Sequence, residues 1–314
     1  MLKVLITSPG FDLYGNDGKE VLEAAGLQYD IVKGAQNLST GQLRKMLPRY
    51  DALIVGSDAI TAELLQKSRV KIISKHGVGI DNIDLDAAKQ RGVVVKNVPG
   101  ALLENAVADF ALTLILTLGK KIIPLNSGTK AGEWRKIAGI NLPGAALGIV
   151  GMGRIGKNLA VKARALGMNV WGWDLAPDCF FAKNYGVLYS DLETLLKTAD
   201  IVSLHVPLSD RTVNLLNSER LRLLKDGALI INTGRGGLID EQALYHELQS
   251  SRLGGAALDT FMDEPPRDSP LLSLENVIAT PHNAAYTEET LRSISRAAAE
   301  NVAEFWKDQA RFLG

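Results

Sequence analysis

The chain has 314 residues, longer than a single hydrophobic core usually sustains, so two domains are expected. Hydrophobic residues make up 46% and charged residues 22%, with no long low-complexity or single-sign tract, a mixture that excludes extended disorder. Lys plus Arg number 35 and Asp plus Glu 35, which removes the broad electrostatic footprint of a nucleic-acid or anionic-membrane binder and confines any anion site to a local feature.

Short Val/Ile/Leu-rich runs alternate with helical patterns almost end to end, the signature of βαβ units around mostly parallel, doubly covered sheets. The first series of strands is Lys3–Thr7, Gln28–Val32, Ala52–Val55, Lys71–Ser74 and Val93–Lys96, with helix-like stretches at Ala62–Lys67 and Leu85–Arg91. The opening run reads as a strand, not as a signal peptide, and the lone Cys179 has no partner for an internal disulfide, so a reducing cytoplasm is expected. After Lys71–Ser74 comes Lys75-His76-Gly77-Val78-Gly79, where paired glycines let main-chain N–H groups converge on a carboxylate and Lys75 or His76 can add positive charge. The same glycines also suit an ordinary strand-to-helix turn.

Asn97-Val98-Pro99-Gly100 supplies a break. The apolar run Ala106–Leu118 contains Asp109 and is too short to cross about 30 Å of hydrocarbon, so it reads as a buried helix. A second series of strands then begins at Ala146–Val150 and runs directly into Gly151-Met152-Gly153-Arg154-Ile155-Gly156 and a helix, Lys157 to Leu166. In that context Gly151 permits a tight turn, Gly153 admits a pyrophosphate close to the backbone, and Gly156 allows close helix–strand packing. The backbone N–H groups of Arg154 and Ile155 would donate to the anion. The next strand, Asn169–Trp173, leads into Asp174, eighteen residues beyond Gly156, where a carboxylate can accept from a ribose 2′-hydroxyl. Leu175-Ala176-Pro177 follows with no adjacent cation, so NAD is favoured over NADP.

Strand Ile201–Leu204 ends in His205-Val206-Pro207, which suits either an adenine pocket or a structural role. Three later strands end in polar groups, where open α/β sheets bind their ligands. Ala228–Ile231 leads to Arg235, Ala256–Leu258 to Asp259 and Glu264, and Val277–Ala279 to His282. Oxidising a hydroxy acid requires a cation for the carboxylate or carbonyl oxygen and a group that exchanges the hydroxyl proton. Arg235 offers a planar donor fork, His282 can give and take a proton, and a hydrogen bond from Glu264 would favour the imidazolium. His246 falls in a helical stretch, Glu241–Gln249, and reads as surface. Four histidines and one cysteine never cluster at metal-ligand spacing, so no metal is expected. The last segment, Glu288 to Phe305, is strongly helical, and its docking partner is not fixed by pattern.

Taken in order, Gly77-Val78-Gly79-Ile80-Asp81-Asn82-Ile83-Asp84, Gly151 to Gly156, Asn232 to Glu241, Asp259 to Pro266 and Thr280-Pro281-His282 resemble the D-isomer-specific 2-hydroxyacid dehydrogenases over nearly the whole chain. The resemblance implies a Rossmann-type NAD-binding domain over 99–283. It also implies a smaller flavodoxin-like substrate domain made of 1–98 and 284–314, and a homodimer. It places Arg235, Glu264 and His282 on the family's catalytic positions. Val206, Thr233, Gly234 and Asp259 fall on positions that line the cofactor, with Asp259 on the nicotinamide carboxamide, and Val78 and Gly79 meet substrate or nicotinamide. The segment around Trp134-Arg135 resembles one that reaches the partner subunit's cleft. D-3-phosphoglycerate is the first substrate implied and glyoxylate or hydroxypyruvate the second, with an NAD-sensing corepressor as the reading of another class. Lys75 and Gly56 stand where phosphate-binding members often carry Arg, which grips phosphate bidentately as Lys cannot. The sequence ends with its terminal helix, so no appended regulatory domain, and no serine control through one, is expected.

Overall fold

The computed structural model describes residues 2–33 and 38–313, which form two compact units: Met1–Leu103 with Tyr286–Gly314, and Glu104–Ala285. In the first unit, strands β1 Lys3–Ile6, β2 Gln28–Ile31, β3 Ala52–Val55, β4 Ile72–Lys75 and β5 Val94–Asn97 alternate with helices α1 Asp17–Ala24, α2 Thr40–Met46, α3 Ala62–Gln66 and α4 Leu85–Gln90. The strands are all parallel in the order β2-β1-β3-β4-β5, the flavodoxin-like arrangement whose chain direction switches between β1 and β3. Strands β3 and β4 are buried along their whole length, which is why they read as unbroken apolar runs rather than alternating ones.

The second unit opens with α5 Glu104–Gly119 and α6 Ile122–Lys130. It continues through β6 Ala146–Val150, α7 Arg154–Ala165, β7 Asn169–Trp173, α8 Cys179–Tyr185, β8 Val187–Tyr189, α9 Leu192–Thr198, β9 Ile201–Leu204 and α10 Ser218–Leu221. The remaining elements are β10 Leu229–Asn232, α11 Glu241–Gln249, β11 Gly255–Leu258 and β12 Val277–Ala279. The sheet order β12-β11-β10-β9-β6-β7-β8, parallel throughout, is the Rossmann arrangement with β12 added at one edge.

Consecutive core residues divide between the two faces of this sheet. Leu229 and Ile231 pack with Ile149 of β6 and Leu118 of α5, while Ile230 packs with Val202 and with Leu244 of α11. Both faces are therefore closed by helices, and the polar ends of the strands are the part of the sheet left for a ligand.

The final helix, α12 Glu288–Leu313, returns to the first unit and packs on α1 and β4. Arg292 and Arg296 fasten it to Asp17 at 2.9 and 3.0 Å, and these hydrogen bonds, Arg292 first, hold the Asp17 carboxyl below its usual range. Among the described residues no helix is long and apolar enough to cross a membrane.

Candidate active site

The loop between β6 and α7 lies at the switch point where β6 pairs with both β7 and β9. Gly151 has φ 101°, and a Cβ there would sit 2.7 Å from the carbonyl carbon of His205 and the amide of Val206, so only glycine lets the loop turn against β9. A Cβ on Gly156 would meet the Gly151 carbonyl oxygen at 2.1 Å, whereas Gly153 has open space on that side. Among the described residues no side chain caps α7, so the first-turn amides of Arg154 and Ile155 have no partner within the helix, an arrangement that can receive an anion at the positive end of the helix dipole. The Arg154 guanidinium turns to Glu104 at 3.7 Å.

Asp174 follows β7 and grips the loop directly, accepting from the Met152 amide at 2.7 Å and the Ala176 amide at 3.0 Å. Each carboxylate oxygen keeps a second lone pair, enough for a hydroxyl donor such as a ribose. His205 is hydrogen-bonded to Ser203 at 2.8 Å, and burial pushes its imidazole down to about 4, so it stands neutral. The Pro207 carbonyl accepts from Thr212 at 2.6 Å. At the end of β10 the Thr233 hydroxyl is buried without a partner among the described residues, a polar group of the kind a bound dinucleotide can satisfy. The Gly234 amide donates to Asn232 at 3.0 Å. An uncapped helix start, open space at Gly153, an acceptor at Asp174 and the Thr233 hydroxyl together fit NAD.

The three polar strand ends converge. His282 Nδ1 lies 2.9 Å from Glu264 Oε2 and 3.2 Å from Oε1, with His282 44% and Glu264 28% exposed at the side chain. Burial pushes the Glu264 carboxyl up, but the hydrogen bond and charge of His282, the Phe261 amide and the charge of Arg235 together outweigh it and hold the group below its usual range. An ionised carboxylate only accepts, so Nδ1 carries the proton toward Glu264 and Nε2 is left to exchange one. Arg235 extends from the turn after β10, anchored in part by its own hydrogen bond to the Gly234 carbonyl at 2.8 Å.

Asp259, expected to meet the cofactor, is fully buried and takes three donors from the turn that carries His282: the Thr280 hydroxyl at 2.6 Å and the amides of Asn283 and Ala284, both at 2.8 Å. Its own carbonyl accepts from the His282 amide at 2.8 Å. His282 adopts φ 53°, a left-handed conformation that costs a non-glycine residue energy and that this network holds in place.

In the first unit the amides of Gly77, Val78 and Gly79 donate to no described residue, which leaves them available to an anion. The two side chains expected to add charge there both have partners within the first unit. His76 is buried between the hydroxyls of Ser8 and Ser295, each at 2.9 Å, and burial together with the neighbouring Lys75 charge pushes it down to about 3, so it supplies no positive charge. Lys75, also buried, donates to the Gly56 carbonyl and to Asn82 Oδ1 at 2.8 Å. Asn82 in turn donates to the carbonyls of Gly56 and Asp58 at 3.1 and 2.6 Å, a bracing role that the sequence does not signal. Asp84, at the end of the same motif, caps α4 through the Ala87 amide at 2.9 Å. His246 is exposed on α11 and Cys179 exposed on α8.

Residues 112–284 match the family model described as "D-isomer specific 2-hydroxyacid dehydrogenase, NAD binding domain". The chain is 40% identical over 291 residues to a hydroxypyruvate reductase of Thermotoga maritima, covering 90% of this chain and 94% of that one. It is 39% identical over 307 residues to a D-3-phosphoglycerate dehydrogenase of Methanocaldococcus jannaschii, which covers 96% of this chain but only 57% of the relative, so the chain spans little more than half that protein's length. Among solved structures, D-lactate dehydrogenase from Aquifex aeolicus, complexed with NAD and lactic acid, superposes with a TM-score of 0.85 at 32% identity, covering 98% of this chain and 96% of that one. The TT0316 protein from Thermus thermophilus gives 0.86 at 36% identity, covering 96% and 95%. The second unit thus carries a dinucleotide fold with an Arg–Glu–His cluster at its strand ends. The chain belongs to the D-isomer specific 2-hydroxyacid dehydrogenase family.

The two neutral histidines make stability pH-dependent. Both have folded values depressed from 6.5, to about 3 for His76 and about 4 for His205, so the unfolded chain binds more protons than the folded one in the window below 6.5. Their contribution is complete above that value and is lost as pH falls through the window. Thermal unfolding midpoints should therefore decline from about pH 6.5 to about pH 5, and His76→Asn should flatten part of that slope. A midpoint that holds constant across the window would contradict the assignment.

Proposed function

We propose that the chain is an NAD-dependent oxidoreductase that interconverts a small D-2-hydroxy acid and its 2-oxo acid. The observation that carries this reading is the His282–Glu264 pair at 2.9 Å beside Arg235, on the same strand ends as the nucleotide loop. The Arg154 and Ile155 amides would hold the pyrophosphate, Asp174 the adenosine ribose, and Thr233 a further polar group of the dinucleotide. Bound nicotinamide supplies the hydride that C2 receives in reduction, or takes it in oxidation. Arg235 holds the substrate carboxylate or draws charge from the carbonyl oxygen, and a guanidinium keeps that charge at any working pH. In reduction His282 gives its Nε2 proton to the oxygen at C2, and in oxidation it takes that proton back while Glu264 balances the imidazolium. In this reading, residues 99–283 carry the cofactor, and 1–98 with 284–314 carry substrate binding through the Gly77–Gly79 amides.

The substrate divides two ways. Identity to phosphoglycerate dehydrogenases supports phosphoglycerate, which the sequence put first. The neutrality of His76, which leaves that side chain no charge for a second anionic group, supports a phosphate-free acid such as hydroxypyruvate or glyoxylate. Trp134, 89% exposed, together with half-exposed Ile122 and Ile123, supports a homodimer built through the second unit.

Steady-state turnover with NADH on glyoxylate, hydroxypyruvate and phosphohydroxypyruvate should give the highest kcat/KM with a phosphate-free acid. Preference for phosphohydroxypyruvate would restore the phosphoglycerate assignment, and no turnover on any 2-oxo acid would overturn the proposed activity. Replacing Asp174 with Ala should weaken NADH more than NADPH, since the carboxylate bonds the free ribose hydroxyl and repels a 2′-phosphate. Equal losses for both cofactors would remove Asp174 from the ribose site.

A further inference from the structure

Glu241 opens α11, six residues after Arg235, and its carboxylate accepts the Met262 amide at 2.7 Å. Asp240, not Glu241, caps the helix, through the Ala243 amide at 3.0 Å, so the Glu241 side chain is not needed for capping. Burial first, and then the charge of Asp263, push its carboxyl up, against the pull of the Met262 N–H. A half-buried carboxylate is kept there against its own desolvation cost.

The peptide that it holds adjoins, through the Cα of Phe261, the one whose N–H binds Glu264. The neighbouring Phe261 amide donates to Glu264 Oε1 at 3.2 Å, an oxygen that also lies 3.2 Å from His282 Nδ1. The same Phe261–Met262 peptide lies against Gly236, where a Cβ would fall 1.9 Å from the Phe261 carbonyl carbon and 2.3 Å from the Met262 nitrogen. The turn carrying Arg235 and the loop carrying Glu264 are thus locked at two points, by close backbone contact at Gly236 and by the Glu241 hydrogen bond. We propose that Glu241 is a positioning residue, which fixes the Phe261–Met262 peptide and through it the orientation of Glu264 toward His282.

The inference rests on the proposed activity, so it is tested by two measurements, one of which is independent of turnover. Gln at position 241 keeps a side-chain oxygen able to accept the Met262 N–H, whereas Ala keeps none. In amide exchange, Glu241→Ala should accelerate the Met262 amide about tenfold or more while Glu241→Gln leaves it near wild type, whether or not a substrate is known. In kinetics, Glu241→Ala should lower kcat by roughly tenfold to a hundredfold with the Kd of NADH unchanged, and Glu241→Gln should restore kcat to within about threefold. Equal exchange in all three proteins overturns the inference, as does equal loss of kcat in the two variants or a loss that appears in NADH affinity alone. Wild-type protein without turnover refutes the activity, and the exchange result then still decides the role of Glu241.

Discussion

The buried carboxylate of Asp259 is the constraint on which the arrangement turns. Three donors reach it, all from the five residues Thr280 to Ala284, and its backbone carbonyl holds the amide of His282 itself. A polar group fully removed from water is tolerated only when its hydrogen bonds are satisfied in this way. The network holds His282 at φ 53°, in a backbone region that the residue would otherwise leave. That conformation presents Nδ1 to Glu264 and leaves Nε2 for chemistry.

Around that anchor, the parallel sheet does the gathering. Strands β10, β11 and β12 lie side by side, so the turns that follow them emerge at one edge and bring Arg235, Glu264 and His282 together from three stretches of sequence. The nucleotide loop leaves the same end of the sheet from β6. Arg235 and His282 both favour the ionised form of Glu264, burial opposes it, and the charges prevail. The same contest ends differently in the first unit, where His76 meets only hydroxyls and a neighbouring cation and stays neutral.

Much of this was legible in the sequence, because the signals were local. Fully buried parallel strands announce themselves as apolar runs, and β3 and β6 begin and end where the runs do. The Gly151 to Gly156 spacing, together with Asp174, carried the dinucleotide reading. Arg235, Glu264 and His282 were identifiable because each follows a strand. The three-residue β8 at the sheet edge escaped notice because so short a strand leaves no periodicity, and α7 begins at Arg154, inside the glycine motif, not after it.

What stayed hidden depends on contacts across the chain. The partners of Lys75, Asn82 and the Gly56 carbonyl, leave no mark in the local sequence, and His76 looks ionisable until Ser8 and Ser295 enclose it. Glu241 and Asn82 sit inside recognisable motifs, yet their partners, Met262 and the Gly56–Asp58 turn, could be found only in three dimensions.

The central claim is that His282, oriented by Glu264, exchanges the substrate proton. Single-turnover stopped-flow oxidation of prebound NADH by a reactive 2-oxo acid, comparing the wild type with His282→Asn, tests it most directly. The account predicts nearly equal NADH affinity and a rate about 10²–10⁴-fold lower in the variant. Equal rates in the two proteins would contradict it.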